Sequence, residues 1–136
     1  MQLKHLMTAH VELIHPDTTV HEAARVMRLC HIGALPVCEG SQLRGILTER
    51  DLVARVLAEG RDPTRTTVRD VMTAELIACV EDQDSTETLQ LMQARQIRHL
   101  AVVDHTGRLV GLLSLRDLAS PLREEQLAGS AIWWPA

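Results

Sequence analysis

The sequence predicts a mixed α/β (α+β) fold: two copies of one β-α-β-β-α unit, packed with pseudo-twofold symmetry. Two observations carry that prediction, an internal repeat and the same order of hydrophobic periods in each copy. At an offset of 65, Met7-Thr8-Ala9 falls on Met72-Thr73-Ala74, Asp17 on Asp82, Glu22 on Glu87, Met27 on Met92, Ile32 on Ile97, Leu35 on Leu100 and Val37 on Val102. One inserted residue near 105–107 moves the offset to 66; Gly45 then meets Gly111, and Arg50-Asp51-Leu52 meets Arg116-Asp117-Leu118. Identities in one order with a single small insertion mean duplication. The copies span 1–57 and 67–122, with a linker at 58–66 marked by Gly60, Pro63 and four charges, and a tail at 123–136.

Each copy opens with a short amphipathic piece (2–7; 68–72) and a short apolar strand (11–14; 76–80). A helix follows, announced by capping-box spacing in Thr19-Val20-His21-Glu22 and Asp84-Ser85-Thr86-Glu87. Val20, Ala23, Ala24 and Met27 make the apolar stripe of the first helix; Leu89, Met92 and Ile97 make that of the second. Two apolar runs come next, Leu35–Cys38 and Leu43–Leu47 around Glu39-Gly40-Ser41-Gln42, and Leu100–Asp104 and Leu109–Leu113 around residues 105–108. That is a hairpin signature. A helix closes each copy, at 49–58 and 115–120. One such unit is marginal alone. Two copies bury a joint core and create two equivalent clefts, natural places for a small molecule.

Composition narrows the function. The 136 residues carry 14 Lys+Arg against 18 Asp+Glu, a net charge of −4, which argues against a generic nucleic-acid partner. Hydrophobic residues are 46% and charged residues 24%, too apolar for disorder. No apolar run approaches the roughly 18–20 residues of a membrane helix, and MQLKHLMT has no signal-peptide core. A cytoplasmic location is expected, with Cys30, Cys38 and Cys79 as buried, inert thiols. There is no Phe or Tyr, and Trp133 and Trp134 sit in the last four positions, so the core is aliphatic. Lys4 is the sole lysine; the other cations are arginines, the better bidentate partners for phosphate. The seven histidines form no H-x-x-x-H or H-E-x-x-H pair, so no metal site is expected. No catalytic constellation recurs at matching repeat positions, so the chain does not read as an enzyme.

The most suggestive segments are Gly45-Ile46-Leu47-Thr48-Glu49-Arg50-Asp51 and Gly111-Leu112-Leu113-Ser114-Leu115-Arg116-Asp117. Each lies where a strand gives way to a helix, whose free N–H groups suit phosphate. The hydroxyl residue donates to a phosphate oxygen, the carboxylate accepts both hydroxyls of a ribose diol, and the glycine permits close backbone approach. Thr-x-x-Asp and Ser-x-x-Asp are equally capping boxes, which need no ligand. Both readings stand on the residues alone.

The span 1–122 resembles a pair of cystathionine-β-synthase-type (CBS) domains, the arrangement called a Bateman module. The text that carries it is IHPDTTVHEAARVM, IGALPVCEG and QLRGILTERDL in the first copy, and DSTETLQLMQARQIRHLAVVDHTGRLVGLLSLRDL in the second. The resemblance implies a regulatory, energy-sensing module that binds AMP, ADP, ATP or a related adenosyl ligand in the clefts, with no required cofactor. It also implies a disk-like homodimer, which Leu52, Val53, Val56 and Leu57 of the closing helix support. By that resemblance Asp51 and Asp117 hold ribose and Thr48 and Ser114 face phosphate. Arg98-His99 in the second copy, against Gly33-Ala34 in the first, reach phosphate, and Arg50 and Arg116 add charge. Ile14, His15, Pro16, Cys79 and Val80 line the adenine side. Ala101 and Glu81 stand where the first copy has Pro36 and Pro16, departures expected to loosen that backbone or change its adenine rim. With 122 residues used by the repeat, the expectation is a stand-alone sensor acting on a separate, unidentified protein; the alternative is a ligand-independent dimeric scaffold.

Overall fold

The computed structural model describes residues 1–7, 12–74 and 78–118. Thr8, Val11, residues 75–77 and the tail with Ile132, Trp133 and Trp134 lie outside the described residues. The chain forms two compact units. A first-repeat unit takes in residues 12–74 with 107–109; a second-repeat unit takes in 1–7, 78–106 and 110–118. The leading segment of each copy is thus folded with the body of the other.

In the first-repeat unit, α1 (Val20–Cys30) starts at Thr19, whose hydroxyl accepts from the Glu22 N–H at 3.3 Å. Val20, Ala23 and Met27 are buried. Ala24, expected on that stripe, is exposed, because each residue turns the helix by about 100° and a stripe centred on 20, 23 and 27 leaves 24 on its flank. Cys30, expected to be buried, is exposed. It belongs to a last turn, 28–31, that has run past the packed stripe and is solvent-facing throughout. Cys38 and Cys79 are buried as expected, and burial pushes both thiols up.

β1 (Ala34–Glu39) and β2 (Gln42–Thr48) pair antiparallel across a turn at Gly40, whose φ of 60° favours glycine. The strand expected at 11–14 contracts to one parallel bridge, Ile14 against Val37. Ile14 donates to the Pro36 carbonyl at 3.0 Å and accepts from the Cys38 N–H at 2.9 Å. The next donor in that ladder falls on Pro16, which has no N–H. α2 (Glu49–Leu52) widens after one turn into a π-helix over Val53–Leu57. The stretch 58–66 is itself folded: the Thr66 and Pro63 carbonyls accept from the Val20 and His21 N–H groups at 2.9 and 3.2 Å. Those are donors that the start of α1 leaves open. α3 (Val68–Val71) then places Val68 and Val71 in the core with Val20, Met27, Leu35, Val37 and Leu47.

In the second-repeat unit, β3 (Ala78–Val80) runs parallel to β4 (His99–Val103), which neighbours β5 (Leu109–Ser114). Here Glu81 occupies the place of Pro16, and its N–H adds a rung to the Val103 carbonyl at 3.2 Å. Ala101, in place of Pro36, is buried and paired with Ala78. The Glu81 departure extends this ladder rather than loosens it. α4 (Ser85–Arg95) is capped by Asp84, which accepts from the Thr86 N–H at 3.0 Å. Thr88 takes the buried place that Ala23 holds in α1, and its hydroxyl donates to the Asp84 carbonyl at 2.9 Å, so the buried group is satisfied. Leu3, from the leading 3₁₀ turn Leu3–His5, is buried in this core with Cys79, Met92, Leu100, Val102 and Leu113. Residues 115–118 begin the closing helix; 119–120, expected to finish it, lie outside the described residues. Among the described residues no helix is long and apolar enough to cross a membrane.

Candidate functional site

Each glycine–hydroxyl–aspartate motif lies at a strand-to-helix junction, as its sequence predicts. In the first-repeat unit Thr48 caps α2. The Asp51 N–H donates to Thr48 Oγ1 at 3.3 Å, and the Thr48 N–H and hydroxyl donate to Asp51 Oδ2 at 2.9 and 3.2 Å. In the second-repeat unit the Asp117 N–H donates to Ser114 Oγ at 3.1 Å, and the Ser114 N–H donates to Asp117 Oδ2 at 2.9 Å. The capping box is therefore built in both copies. A second element recurs: the Glu49 N–H donates to the Gly33 carbonyl at 3.0 Å, and the Leu115 N–H to the Arg98 carbonyl at 2.7 Å. Two of the first three helical N–H groups are thus bonded within each unit. The backbone offers less to a phosphate than a strand-to-helix turn ordinarily does.

Gly45 admits a close neighbour from within its own unit. A Cβ on Gly45 would meet the Thr73 carbonyl at 2.7 Å and Met72 Sδ at 3.0 Å. The close approach is by the protein's own segment 72–74, which pairs with β2 through Ile46 and Thr73. Thr73 also donates its hydroxyl to Asp51 Oδ1 at 3.1 Å, and Arg55 Nε stands 3.9 Å from that oxygen. Asp51 is consequently buried, whereas Asp117 is half-buried, with Oδ1 outside its box. Sequence reading missed Thr73 and Arg55. The Met-Thr pair is visible as part of the repeat, but nothing in its spacing ties it to the aspartate.

Arg50 and Arg116 are exposed beside the aspartates. Arg98 is exposed and His99 half-buried; they lie beyond the end of α4, at the entry to β4, rather than at a helix C-terminus. Burial holds the His99 imidazole below the usual histidine range; the Arg98 charge pushes the same way, and Asp117 opposes both. The balance favours the neutral imidazole over a second cation beside Arg98. Ser114, Asp117, Arg98 and His99 form one neighbourhood. On the expected adenine side, Ile14 and Cys79 are core side chains, because they are the inward residues of equivalent bridges to Val37 and Val102. Pro16 is buried and Val80 half-buried. His15 is exposed, and its Nδ1 accepts from the Asp17 N–H at 3.0 Å. Among the described residues no group of three or more His, Cys, Asp or Glu is arranged to hold a metal ion.

Comparison with known proteins bears on this geometry. The CBS domain family matches the chain twice, over residues 3–58 and 68–124. The CBS domain-containing protein YhcV of Bacillus subtilis is 40% identical over 130 residues, which cover 96% of this chain and 91% of that protein. Hypoxic Response Protein I, solved with two coordinated zinc ions, superposes with a TM-score of 0.78 at 32% identity, covering 89% of this chain and 98% of its own. The CBS domain pair of protein MJ0100, solved with 5′-methylthioadenosine and S-adenosyl-L-methionine, superposes with a TM-score of 0.83 at 25% identity, covering 92% and 98%.

Proposed function

The chain belongs to the CBS-domain family as a tandem pair, and from that premise we propose that it is a regulatory module that binds an adenosine-containing ligand and signals its occupancy to a separate protein. The observation that carries this reading is the second-repeat neighbourhood. Asp117 keeps one carboxylate oxygen outside its capping box, beside Ser114, the His99 imidazole and the Arg98 charge. A carboxylate oxygen and an imidazole suit hydroxyl groups of a ribose, a serine hydroxyl retains a proton to donate, and an arginine suits phosphate. Asp51 offers a second, weaker site, since its oxygens are already engaged. The adenosyl ligands of the MJ0100 pair support the ligand class. The role is regulatory rather than catalytic, and the working unit is a homodimer.

The test is to denature the purified protein and identify released nucleotide by mass spectrometry, followed by calorimetric titration of AMP, ATP and S-adenosylmethionine. Hydrogen bonds to a charged group contribute about 1.5–3 kcal/mol each, so Asp117→Ala should weaken the tighter event by roughly tenfold to a hundredfold or more, while Asp51→Ala spares it. One observation favours a second reading, a ligand-independent scaffold: both aspartates are explained as capping boxes without a ligand. Under it, the two alanine variants lose about 1 kcal/mol of stability and no nucleotide changes the calorimetric trace of any form.

A further inference from the structure

Asp51 is 6% exposed, and both of its carboxylate oxygens accept hydrogen bonds from its own unit. Oδ2 accepts from the Thr48 N–H and hydroxyl, and Oδ1 accepts from the Thr73 hydroxyl. Arg55 secures the same segment, donating through Nη1 to the Val71 and Met72 carbonyls, each at 3.1 Å. Thr73 pairs both ways with Ile46, at 3.0 and 2.9 Å, over the gap that Gly45 leaves open. Segment 71–73 is thus clamped by a strand edge, an arginine and a buried carboxylate.

A carboxylate that holds a vicinal diol uses its two oxygens to accept two hydroxyl protons. In the first-repeat unit one of those oxygens already accepts a hydroxyl, that of Thr73. We infer that Thr73 is an internal competitor for the first-repeat site: its hydroxyl occupies the oxygen that a ribose hydroxyl would take. A ribose hydroxyl arriving at Oδ1 then competes with the Thr73 hydroxyl for that oxygen. Ligand entry exchanges one hydrogen bond for another at Oδ1, so that oxygen contributes almost nothing to affinity. The exchange also frees the Thr73 side chain, while Val71 in the core, Arg55 and the backbone pairing with Ile46 keep the rest of segment 71–73 in place. The contact is autoinhibitory, and it weakens the first-repeat site.

This inference rests on the nucleotide reading, and the experiment separates the two. Asp117→Ala removes the second-repeat carboxylate, so titration of AMP and S-adenosylmethionine into that variant reports the first-repeat site. Adding Thr73→Val removes the competing hydroxyl at nearly constant volume and should tighten binding about fivefold to tenfold, the worth of one hydrogen bond. Adding Thr73→Ser restores a hydroxyl and should return the affinity of Asp117→Ala alone. In the ligand-free protein, thermal unfolding of Asp51→Asn, Thr73→Val and the double variant should show non-additive losses, because the two residues share one bond. Wild-type binding with no gain from Thr73→Val, or additive losses in the ligand-free cycle, overturns the competitor and leaves the nucleotide reading intact. Wild type and all variants silent toward both ligands, with non-additive losses in the cycle, overturns the nucleotide reading: the Thr73 bond then exists but competes with nothing.

Discussion

His99 enters β4 half-buried between an arginine that repels its proton and an aspartate that attracts it, and burial decides the balance downward. The sign of the consequence follows from linkage. The unfolded chain takes up a proton near pH 6.5, the native imidazole only at lower pH, so below about 6.5 the unfolded state binds more protons and stability decreases as the pH is lowered. The contribution is fully present above about pH 6.5 and is lost as pH drops through that value toward the native one. His99→Gln should flatten the melting temperature between pH 7 and pH 5.5 relative to wild type, at constant ionic strength. A slope identical in both proteins would show that His99 is not the group that titrates. The same residue was legible in the sequence only in part. Its place beside Arg98 and ahead of the strand marked it as a candidate, but its charge state depends on how deeply β4 is covered, which no local pattern records.

At the scale of elements, the repeat made the fold legible: both helices, both hairpins and both strand-to-helix motifs lie where the offsets place them. The exceptions have specific causes. The first opening strand shrinks to Ile14 because Pro16 cannot donate the next rung, while Glu81 donates it in the second copy. Glu81→Pro should therefore shorten β3 and cost about 1–3 kcal/mol through the orphaned Val103 carbonyl, read by denaturant unfolding; a Glu81→Ala control should lose much less. The partners of each leading segment were not legible. Leu3 and Val68 are equivalent apolar residues, and hydrophobicity alone does not say that each belongs in the core built by the other copy. The widening of α2 into a π-helix was also hidden, because i→i+5 bonds leave no signature in apolar spacing. For the candidate site, the cap residues were readable from four-residue spacing, whereas Thr73 reaches Asp51 across 22 positions and is found only by folding the chain.

For the whole molecule, the surface of the closing helix of the first copy bears on assembly. Of the four residues expected to support a dimer, Val56 points into the core at 2% exposure and Leu52 packs against that core, because both lie on the inward side of the helix; Val53 and Leu57 remain 59% and 68% exposed, which suits a face covered by a second copy. Light scattering at tens of micromolar should give about twice the 15.1 kDa chain mass. Val53→Glu with Leu57→Glu should return the monomer without unfolding it, because neither side chain belongs to the core cluster. A wild-type mass near 15.1 kDa would remove the dimer from the proposal. Assembly and ligand binding then combine in one measurable quantity. A ligand that binds only the folded state stabilises it by about 2.7 kcal/mol at a hundredfold excess over Kd, and self-association makes the melting temperature rise with protein concentration by the same mass-action logic. Scans across AMP, ADP, ATP, S-adenosylmethionine and NAD at two protein concentrations separate the effects. An adenosyl ligand should raise the transition at both concentrations in wild type and in the Val53→Glu/Leu57→Glu form, if the site is complete within one chain. A ligand shift confined to the associating protein would mean instead that nucleotide binding requires the dimer.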